Sequence, residues 1–201
     1  MSADGSAPIR ILAVGDELVA GVGDPKAIGW LGRVTARTAP EIDLEVYTLA
    51  VPGETSTELS ARWQDEAARR VSPDVETRLI VALGREDVRR GLSLARSRLN
   101  LANILDEATA QGLNPLVVGP PPGAAEEAGK LAELSAAYLD VASRRRAPYI
   151  ELFKPLERHQ QWLDDLASSG SGLPQQAGYG LIAWLVLHYG WRRWLGLAED
   201  Q

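Results

Sequence analysis

Ile11-Leu12-Ala13-Val14-Gly15-Asp16-Glu17-Leu18-Val19-Ala20-Gly21 is an apolar run that breaks on a glycine and turns acidic. It reads as a strand, Ile9 to Val14, feeding a glycine-containing turn. The run shows no clean polar/apolar alternation, as expected of a strand covered on both faces. Four further runs of this kind follow, at Leu44 to Val51, Leu79 to Leu83, Pro115 to Val118 and Pro148 to Phe153. Between them the period changes to that of helices. Leu59, Trp63 and Ala67 share one face; so do Leu92, Ala95, Leu99, Ala102, Leu105 and Ala108; so do Leu131, Leu134, Tyr138 and Val141. A last helix is expected from about Gln176 to about Leu195. Strands alternating with helices predict an α/β fold: a doubly wound, five-stranded parallel sheet with helices on both faces and right-handed crossovers. In such sheets a small-molecule ligand binds beyond the carboxyl ends of the strands.

The composition fits one ordinary globular domain spanning residues 1–201. Hydrophobic residues make up 45% and charged residues 24%. A formal net charge of -6 argues against a nucleic-acid partner, which needs a clustered basic face. The short arginine runs, Arg69-Arg70, Arg89-Arg90, Arg144-Arg145-Arg146 and Arg192-Arg193, read as solvated helix ends. With no cysteine there is no disulfide framework and no thiolate metal site. Residues 1–8 read as a flexible N-terminus without signal-peptide character. No apolar stretch is long enough for a membrane span, the nearest being Leu181 to Tyr189. Cytoplasmic location is the expectation.

The chemistry should lie in four short blocks. Gly15-Asp16-Glu17-Leu18 follows the first strand. Pro52-Gly53-Glu54-Thr55-Ser56 follows the second, and Gly84-Arg85-Glu86-Asp87 the third. Gly170-Ser171-Gly172-Leu173-Pro174, then Gly178-Tyr179, precedes the last helix. In this order they resemble the SGNH or GDSL hydrolases, a family of esterases, lipases and acyl transferases. The family's blocks are normally Gly-Asp-Ser-Leu, a glycine whose N–H donates to the oxyanion, Gly-x-Asn-Asp, and Asp-x-x-His-Pro followed by Gly-Tyr. The resemblance implies the three-layer α/β/α, flavodoxin-like fold of that family. It also places Glu17 at the nucleophile position, Gly53 at the oxyanion glycine and Glu86 at the oxyanion asparagine. Gly170 falls at the acid position and Leu173 at the histidine position.

A serine hydrolase needs a hydroxyl, a base for its proton and donors aimed at the developing oxyanion. At the matching positions this chain has a carboxylate, a leucine and a second carboxylate. The first expectation is therefore a catalytically inactive relative whose pocket or surface binds a small ligand or partner. The alternative is a hydrolase of esters or glycosides with changed chemistry. In the strand order 2-1-3-4-5, Glu17 and Glu86 leave neighbouring strands, so their carboxylates could meet as an acid/base pair. With Asp16 they could bind a divalent cation; no other cofactor is expected. Against this stands pairing of the two glutamates with arginine, for instance Arg85 or Arg33. Asp16 and Asp87 are expected to support the turns by hydrogen bonding. His159 and His188 lack the family's spacing and read as surface or packed residues.

Trp184, Tyr189, Trp191 and Trp194 crowd the C-terminal region. Trp184 is expected to cover the sheet. Trp191 and Trp194 either fold back onto the core or face outward, as a partner or homodimer contact. The Pro120-Pro121-Pro122-Gly123 turn reads as a rigid rim element.

Overall fold

The computed structural model describes residues 8–125 and 127–198. The flexible N-terminus expected over 1–8 lies, apart from Pro8, outside the described residues. Five strands form one parallel sheet: β1 (Ile9–Gly15), β2 (Leu44–Ala50), β3 (Thr77–Ala82), β4 (Leu116–Val118) and β5 (Tyr149–Ile150), in the order β2-β1-β3-β4-β5. This is the expected sheet. β5 is shorter than its apolar run suggests, because Phe153 opens a helical turn rather than extending the strand.

Continuous apolarity in β1 has a direct cause. Ile11 and Ala13 pack into one core with Trp30, Leu31, Val34, Ile182 and Val186. Leu12 and Val14 pack into the other with Leu59, Trp63, Leu101, Ile104 and Tyr138. Alternate side chains point to opposite faces, and from Ile11 to Val14 both faces are buried, so none of these positions is polar; Arg10, nearer the strand's start, pairs with Glu45. The helices are α1 (Glu17–Ala20), α2 (Gly29–Thr38), α3 (Ser56–Ala68), α4 (Arg85–Arg89), α5 (Leu94–Ala110), α6 (Ala128–Arg144), α7 (Phe153–Leu156), α8 (Gln160–Ser168), α9 (Gln176–Val186) and α10 (Arg192–Leu195). α2 and α9 cover the first core; α3, α5 and α6 cover the second.

The caps start these helices at the strand ends. Thr55 accepts the Glu58 N–H while the Glu58 carboxylate takes the Thr55 N–H, a reciprocal capping box that fixes the start of α3. Ser93 caps α5 in the simpler way.

The last helix is not continuous. Tyr189 and Gly190 leave helical geometry, with φ of +147° at Gly190, and a five-residue π-type turn separates α9 from α10. A Cβ at Gly190 would stand 3.0 Å from Ile150 Cδ1, so the kink sits tightly on β5. Of the two readings of Trp191 and Trp194, the structure takes the inward one, and it corrects the expectation for Trp184. Trp191 and Trp194 turn inward, 0% and 5% exposed, with Trp191 Nε1 donating to Thr38 Oγ1 at 2.8 Å. Trp184, expected to cover the sheet, is 50% exposed, because it lies on the outer face of α9.

Candidate functional site

Gly15 aims the first block. Its φ is +152°, and a Cβ there would lie 1.8 Å from the Ala82 carbonyl oxygen. Only glycine lets β1 end this close to β3. The next residue, Asp16, is the N-cap of α1, its Oδ1 accepting the Leu18 N–H at 3.0 Å. This is the turn-supporting role expected of it. Burial above all, and then the Glu17 charge, push the Asp16 carboxyl up to about 8, against the Leu18 N–H and the Arg85 charge, which pull it down.

Glu17 is buried, and its Oε2 accepts the N–H of Gly53 at 2.9 Å. The second block thus meets the first through one hydrogen bond, made by the donor that the resemblance assigns to the oxyanion. Arg85 lies nearby, its charge interacting with both Glu17 and Asp16. Its guanidinium donates to the Gly172 carbonyl at 3.0 Å, which ties the last block to the third.

Glu86 does not turn toward Glu17. It pairs with Arg89 at 3.2 Å, and Arg89 pairs in turn with Glu127 at 2.9 Å. Arginine pairing was the expectation, but the partner differs from both suggestions. Arg33 is engaged by Asp24, and Arg85 faces Glu127 at 3.9 Å. No hydrogen bond or ion pair joins Glu17 to Glu86. Among the described residues no group of three or more His, Cys, Asp or Glu is placed to hold a metal ion.

Asp87 clamps the blocks together. Its Oδ1 accepts the Ser56 N–H at 2.7 Å and its Oδ2 the Ser56 hydroxyl at 2.6 Å. Tyr138 donates to the same carboxylate at 3.3 Å, and Asn100 Nδ2 donates to Ser56 Oγ at 2.9 Å. Burial and the Asp87 charge hold the Tyr138 hydroxyl well above its ordinary range, so it stays a donor. Sequence reasoning placed Ser56 in the second block and Tyr138 on a core-facing helix but gave neither a part in this clamp, and it did not name Asn100. The available signal was Asn100, a polar residue beside Leu101 and Ile104 on the buried face of α5.

In the last block, Gly170 is exposed and Leu173 is buried in the first core. Leu173 packs where the chain passes Gly23, whose added Cβ would lie 3.5 Å from the leucine Cβ. Asp165, another residue the sequence did not reveal, accepts the N–H groups of Gln175 and Gly178 and anchors the start of α9. Neither histidine belongs to the site. His159 is exposed at the N-cap of α8, and His188 stacks on Trp184 with ring centroids 4.2 Å apart.

A family model described as GDSL-like Lipase/Acylhydrolase matches residues 13–181, from β1 into α9. The chain belongs to this family. It is 30% identical over 110 residues to Esterase TesA of Pseudomonas aeruginosa, a match covering 54% of this chain and 53% of that protein. The match therefore spans about half the length of the curated relative. The fold is similar to the lipase/acylhydrolase from Enterococcus faecalis, with a TM-score of 0.77, 20% identity, and 96% and 98% of the two chains covered. A crystal structure of TesA superposes with a TM-score of 0.73 at 23% identity, covering 88% of this chain and 95% of that one. At these identities the likeness is one of fold. Among the described residues no helix of this family member is long and apolar enough to cross a membrane.

Proposed function

We propose that this chain is a catalytically inactive member of its family that binds a small ligand at the carboxyl ends of the strands. The observation that carries the reading is the hydrogen bond from Gly53 N–H to Glu17 Oε2. In acyl transfer that donor must be free to receive charge as it develops on the substrate oxygen. Here a fixed side-chain oxygen holds it, so the donor is already spent before a substrate oxygen arrives. The rest of the machinery fails in the same direction. Leu173 is no base, and Glu86 offers a carboxylate where the family uses an amide donor.

A second reading keeps catalysis but changes its chemistry. Asp16, held protonated at neutral pH, stands beside Glu17, and a protonated carboxyl next to a second carboxyl group suits acid/base work.

One assay separates the two. Short- and medium-chain p-nitrophenyl esters are offered with and without Mg²⁺ or Mn²⁺, beside the Glu17→Ala variant. The inactive reading expects no turnover by either protein. Turnover that disappears in Glu17→Ala would replace it with carboxylate catalysis.

A further inference from the structure

Gly180 stands inside α9 although its backbone is ordinary helix and a Cβ added there would meet nothing within 4 Å. A glycine inside a helix is less favourable than alanine, so neither turn geometry nor packing accounts for it. What the missing side chain does is open a slot on the outer face of the helix. Gln176 and Trp184 lie one turn to either side of it on the same stripe. All three residues line two grooves. One, of about 540 Å³, runs against Gly32, Ala36 and Arg37 of α2; the other, of about 680 Å³, runs against Gln161 and Ser168 of α8. Both are large enough for a small-molecule ligand.

The ring beside the slot is held in place. Trp184 is half exposed, yet His188 stacks on it with ring centroids 4.2 Å apart, and His188 Nδ1 meets the Trp184 carbonyl oxygen at 2.7 Å. The polar groups around it are free to take a ligand. The exposed amides of Gln161 and Gln176 and the exposed guanidinium of Arg37 make no hydrogen bond or ion pair among the described residues. The other charged neighbours are engaged: Arg33 by Asp24, and Asp165 by the N–H groups of Gln175 and Gly178. This face therefore offers a fixed indole, two amides that each donate and accept, and one uncommitted positive charge.

We propose that this face binds an acidic oligosaccharide, with one pyranose ring on Trp184 over Gly180 and a uronate carboxylate on Arg37. The C–H face of a pyranose is apolar and covers an aromatic ring, while the hydroxyls at its edge need both donors and acceptors, which amides supply. A guanidinium holds a carboxylate strongly because donor and acceptor are both charged. Grooves on both sides of Trp184 suit a chain that continues past the stacked ring. A purely aromatic acid would leave the amides and the second groove unused. A second copy of this chain would bring the same uncommitted arginine to both sides of a symmetric contact. The site lies on the side of the domain, away from the strand ends, and does not rest on the inactive reading.

Calorimetric titration of the whole chain, with the indole N–H signals followed by NMR, tests this with tetragalacturonate, cellotetraose and benzoate. The expected result is saturable binding of tetragalacturonate, with cellotetraose and benzoate weaker by about tenfold or more, the worth of one good contact. Gly180→Leu, which fills the slot from an exposed helix position, and Trp184→Ala should each weaken tetragalacturonate by about the same factor without lowering the melting temperature much. Arg37→Gln should remove the preference for the acidic sugar over the neutral one. Absence of saturable binding, benzoate binding as tightly, or unchanged affinity in Gly180→Leu and Trp184→Ala would each overturn the proposal. So would a stable dimer of the ligand-free chain that Trp184→Ala dissolves, which would put a second copy on this face. Ester turnover or its absence bears only on the strand-end pocket and leaves this result unaffected.

Discussion

The Glu17 carboxylate reaches Gly53 across 36 residues of chain and holds its N–H at 2.9 Å. That contact predicts how catalysis can and cannot be restored. Glu17→Ser alone frees the donor and adds a hydroxyl, but provides no base, so esterase activity should stay at background. Glu17→Ser, Glu86→Asn, Gly170→Asp and Leu173→His together supply hydroxyl, base, acid and amide donor. The quadruple variant should hydrolyse p-nitrophenyl acetate measurably above background. A folded quadruple variant that stays inert would show that these positions do not correspond to the family's functional residues.

Asp16 gives a stability profile with a definite sign. Its folded pKa of about 8 lies above the ordinary 3.8. The folded state therefore holds a proton that the unfolded state has lost. Stability from this group is fully present below pH 4 and is lost as pH rises toward 8. Asp16→Asn keeps the N-cap acceptor and removes the titration. Relative to wild type, the variant should gain a few kcal/mol by about pH 8, following a slope of about 1.4 kcal/mol per pH unit. Urea midpoints across pH 5–8 measure it; parallel curves for the two proteins would contradict it.

Asp24 should act on the opposite limb. Its carboxylate accepts the N–H groups of Lys26, Ile28 and Gly29 and pairs with Arg33, which together hold it far below the usual carboxylate range. The folded pKa is depressed, so its contribution is present above about pH 4 and lost as pH falls below that. Asp24→Asn should flatten the acid side of the profile and lower it by a constant amount above about pH 4, without changing the slope there. Acid unfolding followed by circular dichroism reads this directly.

The Ser56 clamp can be weighed separately. Ser56→Ala removes both contacts of the hydroxyl and leaves Asn100 Nδ2 with only its bond to Thr57 Oγ1. A loss of about 1–3 kcal/mol is expected, because Asp87 and Asn100 are buried. The denaturation slope should stay unchanged, since the same surface is exposed on unfolding.

How much of this was legible in the sequence follows from what sets each feature. The alternation of strands and helices and the two cores follow from continuous apolar runs and helical periods, which report burial directly, whereas the strand order came with the resemblance to a doubly wound family. Gly15, Gly53 and Gly84 mark strand ends because their turns need backbone that other residues rarely adopt. The partners of Glu17, Glu86 and Asp87 were not legible. Gly53, Ser56 and Glu127 come from distant blocks, and spacing along the chain carries no record of them; only the Glu86–Arg89 pair, three residues apart on α4, left a local signal. The sequence left Trp191 and Trp194 open between core and surface for a local reason: Gly190 breaks the helical period, so residues beyond it cannot be assigned a face by counting from α9.

The kink also separates two classes of tryptophan variant. Trp191 is fully buried, touches Trp194 at 5.4 Å between ring centroids, and donates to Thr38. Trp191→Ala should cost about 3–5 kcal/mol. Trp184 is half exposed and stacks on His188, so Trp184→Ala should cost less than about 1 kcal/mol. Any homodimer built on the aromatic C-terminal region must then use Trp184 and Tyr189, which is 59% exposed, rather than Trp191 and Trp194. Sedimentation of wild type and Trp184→Ala decides it. A dimer lost in Trp184→Ala without a change in melting temperature would place the interface on α9; a dimer that survives would place it elsewhere.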